Sequence, residues 1–350
     1  MSEQFVHTPF TEINLKDNFF DSLKEDYMEF ENWFHRKSSE GEKAFIQLVN
    51  EKLEGFLYLK EETGPITDVE PSIDCEKAMK IGTFKINPHG TRLGERFIKK
   101  SIDFAINNSV NFIYVTIFEH HEYLLKMFLT YGFELHGKKI TPNGTENVLV
   151  KEINKIHNDV LLDYPRIKTT SNSHLLAIMP EYHTKLFPDS KLYNEKFDVI
   201  KDVSHTNSIT KIYIARMSSM KNIKPGDNLV IYRTSDGVGP AKYRAVATTV
   251  CTVIDAKSKS NFKNLSELKS YCKNYSVFTD KELSTFVNGN SNYYVLKMTY
   301  NVSLNKRIIR DLLINQIGLD KSRYWGCFDL TNSEFDNILS LGEVNNNYLI

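Results

Sequence analysis

The sequence predicts an α/β (α+β) protein of two bodies: a mixed sheet with flanking helices over residues 1–152, and a small, partly closed β-barrel with short helices over 174–350. Three observations predict it. Apolar runs of strand and helix period alternate through the first half. The second half strings several strand-like runs together with short helical stretches between them. Charge divides as well: residues 1–152 carry 18 Lys+Arg against 25 Asp+Glu, net −7, and the remainder 26 against 19, net +7, in a formally neutral chain.

A length of 350 residues favours two cores over one. Apolar residues at 41% and charged residues at 25% exclude disorder as the overall class. The start, MSEQFVHTPFTEINLKD, has no basic segment followed by an apolar run, so no secretory signal is read. No stretch approaches the roughly 20 apolar residues of a membrane helix. Cys75, Cys251, Cys272 and Cys327 lie far apart without a CxxC pair. They read as reduced thiols of a cytoplasmic protein, with no metal site.

In order, residues 19–36 set Phe19, Leu23, Tyr27, Phe30 and Phe34 at helical spacing. KAFIQLV and NEKLEGFLYLK form a β-hairpin. The polar, two-proline stretch 61–77 is a loop. AMKIGTFKI is a strand, GERFIKKSIDFAINNS a helix with Phe97, Ile98, Ile102, Ala105 and Ile106 on one side, and NFIYVTIF a buried strand. HEYLLKMFLTYG is a helix stopped at Gly132, and NVLVKEI closes as a strand. Residues 153–173 lose the pattern and read as a linker. Beyond them HLLAIMP and EYHTKLFPD open the second body. TKIYIARM, DNLVIYRT, YRAVATTVCTVIDA and YYVLKMTYNV are its strands. NLSELKSYCKN, TDKELSTFV, IRDLLINQI and NSEFDNILSL are its helices.

Between the AMKIGTFKI strand and the next helix lies INPHGTRLGERFIKK. A helix N-terminus offers N–H groups and partial positive charge, and binds phosphate where the preceding loop permits approach. Gly90 and Gly94 lack a Cβ, and Arg92 and Arg96 add cationic reach. The pair of glycines alone is equally an ordinary strand-to-helix turn.

In this setting the sequence resembles the GNAT acetyltransferase superfamily over roughly residues 10–152. The phosphate-loop pattern [R/Q]-x-x-G-x-[G/A] lies on His89-Gly90-Thr91-Arg92-Leu93-Gly94. Gly90 and Gly94 match it, and His89 and Arg92 depart from it. The pattern N-x-x-A-x-x-L-Y-x-x-x-G-F falls on His121, Leu124, Met127, Phe128, Gly132 and Phe133. The resemblance implies acetyl-CoA as cofactor. Its pyrophosphate would lie on the amides of Thr91, Arg92, Leu93, Gly94 and Glu95, beside His89 and Gly90. Its pantetheine would run along Phe84, Lys85 and Ile86, with the thioester between the Phe84 and Tyr114 strands near Phe128. The family's tyrosine acid is replaced by Phe128, and the frequent glutamate of the AMKIGTFKI strand is missing. Glu119, His120 and His121 are the candidates for the base, and Tyr123, Tyr131 or a water for the acid. His120 and His121 can equally cap the helix that follows them.

In the basic half, Arg216, Arg233, Arg244 and Arg323 border apolar or aromatic segments, and Tyr232, Tyr243, Tyr324 and Trp325 add ring faces. An arginine beside a ring suits phosphate contact with base stacking. Aromatics at strand spacing are also core residues, and a net of +7 can be plain solvated surface. KPGDNLVIYRT, YYVLKMTYNV and RYWGCFDLT resemble the PUA-like superfamily with its ASCH and EVE relatives, across about 174–340. That resemblance implies a nucleic-acid partner, RNA or tRNA. Together the two resemblances imply an N-acetyltransferase directed to RNA, aminoacyl-tRNA or an RNA-associated protein. A modified-base binder with a degenerate first domain and a toxin of a toxin–antitoxin pair are the alternatives.

Overall fold

The computed structural model describes residues 3–88, 90–193, 195 and 200–350. The chain forms two compact units, Met1–His157 and Asn158–Ile350.

The first unit contains β1 (Glu3–Pro9), α1 (Asp21–Asp26), α2 (Phe30–Ser39), β2 (Lys43–Val49), β3 (Lys52–Thr63), β4 (Lys77–Ile86), α3 (Leu93–Asn107), β5 (Phe112–Phe118), α4 (Glu122–Thr130), β6 (Glu134–Thr141) and β7 (Gly144–Glu152). They build a seven-stranded sheet of order β1-β2-β3-β4-β5-β7-β6. Only the β4–β5 pair is parallel; the other five pairings are antiparallel. β1 and β6 are not legible as strands in the sequence. β6 is an edge whose Leu135 and Ile140 are solvent-exposed, so no apolar alternation marks it.

The single helix expected over 19–36 is broken. A 3₁₀ turn at Asn18–Phe20, capped by Asp17, leads into α1, and Tyr27 then turns extended (φ −133°, ψ 100°) before α2 begins. Tyr27 uses that turn to place its ring on Phe118 and its hydroxyl on Glu146, so a long-range contact overrides local helical period. Phe10, Phe20, Phe30, Phe34 and Phe56 interlock by edge and tilted contacts and fasten α2 to β3.

Two irregularities shape β4. Against β3, Tyr58 pairs with Thr83 but Leu59 with Ile81, which leaves Gly82 as the extra residue of a bulge. Against β5, pairing runs only from Ala78–Phe112 to Ile81–Val115. Beyond it both strands continue, to Ile86 and Phe118, without pairing to each other. The bulge bends β4 at the residue where its ladder to β5 ends.

The second unit contains β8 (Ser173–Ile178), α5 (Pro180–Leu186), α6 (Ser204–Asn207), β9 (Thr210–Ala215), β10 (Asn228–Arg233), α7 (Ala241–Arg244), β11 (Val246–Ser258), α8 (Leu265–Cys272), α9 (Asp280–Asn288), β12 (Tyr294–Ile309), α10 (Arg310–Asn315), β13 (Cys327–Leu330) and α11 (Asn332–Leu341). Its sheet has the order β13-β8-β10-β11-β12-β9. β11 and β12 pair through three register shifts, which bend the long ribbon. All six strands feed one core, among them Leu176, Tyr213, Ile231, Val253, Met298 and Cys327. The 3₁₀ turn Ser218–Asn222 that follows edge strand β9 meets the other edge, β13, through Ser219 Oγ donating to Cys327 O at 2.8 Å. The sheet therefore curls on itself. Residues 158–173, read as linker, pack into this unit: Tyr164 is fully buried and donates to Tyr300 O at 2.9 Å, and Ile167 bridges to Leu349.

Candidate active site

Where β4 and β5 part, a cleft of about 860 Å³ opens in the first unit. Phe84, Lys85 and Ile86 line it, with Thr116–Phe118 opposite. Having left β5, this part of β4 has one backbone edge without a strand partner among the described residues. The strand runs on through Asn87 and Pro88 to the turn before α3. His89 lies outside the described residues. Gly90 takes φ +74°, and among the described residues beyond its chain neighbours no atom lies within 4 Å of where its Cβ would stand. Arg92, the N-cap of α3, is left-handed (φ 58°, ψ 27°), and its own side chain makes no cap hydrogen bond. A glycine whose Cβ position is uncrowded, a helix N-terminus and an open strand edge in succession fit a phosphate-bearing chain such as CoA.

The other parts of the turn serve packing. A Cβ on Gly94 would lie 2.5 Å from Met127 Cε, so this glycine lets α3 approach α4 and is not an opening toward an anion. Arg92 pairs with Glu95, which is buried and also accepts from Tyr131 Oη at 2.8 Å. Arg96 lies over the Phe5 ring, 4.5 Å from its centroid. Glu95 therefore clamps the turn from behind. Thr91 is half-buried within it, and Leu93 is buried beneath it.

The candidate acids and bases divide. His120, His121 and Tyr123 line the cleft, and Glu119 is exposed just outside its lining. Tyr131 is buried with its hydroxyl on Glu95, and its carbonyl accepts from Lys151 Nζ at 2.9 Å. Phe128 is fully buried between Phe84 (centroids 5.3 Å apart) and Phe133 (4.8 Å). His121 Nε2 stands 3.7 Å from Asp26 Oδ2. Burial, and then the neighbouring His120, hold His121 below the ordinary histidine pKa against the pull of Asp26. One ligand atom from each of Asp26, His120 and His121 lies within 4.8 Å of the others, the grouping among the described residues that suits a metal ion.

Sequence reading missed five cleft residues: Asp26, Tyr27, Glu62, Lys80 and Glu146. Glu146 is buried and accepts from Tyr27 Oη at 2.7 Å. Burial opposes the charge on Glu62, but bonds from Tyr114 and from Lys60 (2.9 Å) outweigh it and lower its pKa. Lys80 carries its ammonium 5.3 Å from the Tyr114 ring centroid, with its pKa lowered by burial. No local motif marks these residues, because Asp26 meets His121, Tyr27 meets Glu146, and Tyr114 meets Glu62 and Lys80 only across distant elements.

No protein-family model matches the chain, and no curated protein matches it. Solved structures of two kinds do. The ASCH protein of Zymomonas mobilis is 12% identical, with 48% of this chain and 94% of that one covered and a TM-score of 0.34. An IAA acetyltransferase from Bacillus cereus ATCC 14579 is 13% identical, covering 43% and 99%, TM-score 0.32. A GNAT family acetyltransferase from Elizabethkingia anophelis with acetyl-CoA bound is 11% identical, covering 42% and 97%, TM-score 0.30. The likenesses are to a GNAT fold and to an ASCH fold.

In the second unit the six residues expected at a nucleic acid are mostly engaged. Arg233 is buried and pairs with Glu195 at 3.2 Å. Arg244 binds Asp236 through two bonds, Nε to Oδ1 at 2.6 Å and Nη2 to Oδ2. Arg216 donates to Thr285 O at 2.9 Å and covers the Phe286 ring. Arg323 sits over Phe328 with Glu334 at 3.9 Å. Trp325 is covered by Arg310, 4.4 Å from its ring centroid, and packs on Tyr232. Tyr324 is 73% exposed, and its ring is the open aromatic face of the set.

Proposed function

We propose that the first unit is an acetyl-CoA-dependent N-acetyltransferase. The observation that carries this reading is the parting of β4 from β5 at Ile81–Val115, which leaves an open strand edge leading to the N-terminus of α3. Phe84, Lys85 and Ile86 hold the pantetheine arm, and the amides of the Gly90–Glu95 turn hold the pyrophosphate. When bound, acetyl-CoA supplies a thioester that an amine converts to an amide with release of the thiol. The chain's own task is to hold and deprotonate that amine. Asp26, in the cleft lining beside His121, attracts the ammonium form at that point. His121, neutral at physiological pH and set against Asp26, takes the proton, and Tyr123 is the hydroxyl that returns one. Calorimetric titration with acetyl-CoA tests the reading; no heat at millimolar ligand overturns it.

The acceptor is RNA, an aminoacyl group on tRNA, or an RNA-associated protein, brought by the second unit. Tyr324 beside Arg323 supports this part. RNA affinity that falls with salt is the expected result, and equal affinity at low and high salt would contradict it. Phe128 favours a second reading, a CoA-binding module without transfer, because a phenyl ring holds no proton to give. Labelled acetyl appearing on tRNA or a lysine peptide would exclude that second reading.

A further inference from the structure

We infer that Asp26, His120 and His121 form a binding site for a divalent transition metal, zinc by the nature of its donors, at the rim of the cleft. The binding claim stands apart from the transfer reading; its consequence, capture of the proposed base by the ion, rests on that reading.

Asp26 is the last residue of α1, and the two histidines form the turn from β5 into α4. The Asp26 Oδ2–His121 Nε2 separation is 3.7 Å, and the third donor lies within 4.8 Å of both. Around tetrahedral zinc, with bonds of roughly 2.0–2.2 Å, donor atoms stand about 3.3–3.6 Å apart. One edge is thus nearly formed, and rotation of two exposed imidazoles supplies the rest. Contacts on the Phe118 ring bring the residues that carry the donors together. His120 stacks on Phe118 at 5.6 Å and 13°, and Tyr27, the neighbour of Asp26, packs on the same ring at 5.3 Å. The Tyr27 bond to Glu146 fixes that arrangement to β7.

Two imidazoles with one carboxylate suit zinc or cobalt and not magnesium or calcium, which require mostly oxygen. Asp21 and Glu25 in the same helix add negative charge. Lys85, the opposing cation, is bonded to Ser22 Oγ. A plain Asp26–His121 contact would not need His120, so the effect of His120→Ala on metal binding separates the two explanations.

The full chain, stripped with a chelator, is titrated with zinc by calorimetry and with cobalt by visible absorption. One ion per chain is expected, with the intense bands of tetrahedral cobalt. His120→Ala and Asp26→Asn should each weaken binding at least ~10-fold, since even outer-shell changes cost that much. His120 is exposed, so an unchanged far-ultraviolet spectrum is expected to show that the His120→Ala variant folds. Absence of saturable binding, or binding that survives both substitutions, overturns the site. Saturating zinc should slow acetyl transfer, and chelator should restore it. Zinc that binds without slowing transfer would support the site while removing His121 from the chemistry. Acetyl-CoA titration of the metal-free chain reports on the transferase reading separately.

Discussion

The two units use the same polar residue types in opposite ways. In the first, His120, His121, Asp26, Lys80 and Tyr123 face a cleft, because β4 and β5 separate and leave space between them. In the second, similar groups are consumed internally. His183 is fully buried, with Nε2 2.7 Å from Thr248 Oγ1, and Thr184 donates to Glu195, which also holds Arg233. His174 sits between Asp227 at 3.1 Å and Asp329 at 2.9 Å. Composition therefore does not separate a reactive residue from a structural one. What separates them is whether a strand ladder closes over the position.

The largest test of this contrast is chemical. His121→Ala should lower the rate of acetyl transfer by about 10²–10⁴-fold, the usual worth of a general base, with the fold intact because the residue is exposed. Single-turnover kinetics would read it, and an unchanged rate would place the base elsewhere.

Acid should then strike the second unit first. Burial pushes His183 down to about 3 and His205 down to about 4. Below the unfolded value near 6.5 the unfolded chain binds protons that the folded unit refuses, so stability falls as pH drops from 6.5 toward 4. At pH 5 the two residues together cost about 4 kcal/mol. The two tryptophans divide between the units, Trp33 and Trp325, so Trp33→Phe leaves fluorescence reporting on the second. Urea midpoints independent of pH over this range would contradict the assignment.

Next in size, His174→Ala should destabilise the second unit by about 3 kcal/mol, because the buried Asp227 carboxylate loses the imidazole that stands 3.1 Å from its Oδ2. Asp227 keeps the Lys224 N–H at 2.8 Å, which limits the loss. The same Trp33→Phe fluorescence assay measures it, and the first unit should be unaffected. The smallest effect belongs to Gly90→Ala. Nothing crowds its Cβ, so only the left-handed backbone opposes the change, at about 1–2 kcal/mol. Acetyl-CoA binding should weaken several-fold by calorimetry, and an unaltered affinity would remove the turn from the cofactor site.

The strands and helices legible in the sequence were those with a strong period, such as α3 and β5. β1 and β6 were not legible, since edge strands need no apolar alternation. At the candidate site the turn from Gly90 to Glu95 and the pair His120–His121 were readable as local strings. Asp26, Glu62, Lys80 and Glu146 were not, because their meaning depends on partners from other elements. The arginines of the second half show the converse. Arg233 and Arg244 read as open cations until Glu195 and Asp236 are found beside them.

By itself the sequence determined the two-body division, the order of strands and helices around INPHGTRLGERFIKK, and the loss of a hydroxyl at Phe128. These are one-dimensional properties, set by periodicity, charge and residue identity. Only the tertiary structure decided that Gly94 makes room for Met127 while Gly90 leaves an approach open, that Tyr131 is spent on Glu95, and that Asp26 stands against His121. Each of those depends on which distant atoms the folded sheet brings within a few ångströms, and the bulge at Gly82, with the ladder ending at Ile81, sets that geometry at the cleft.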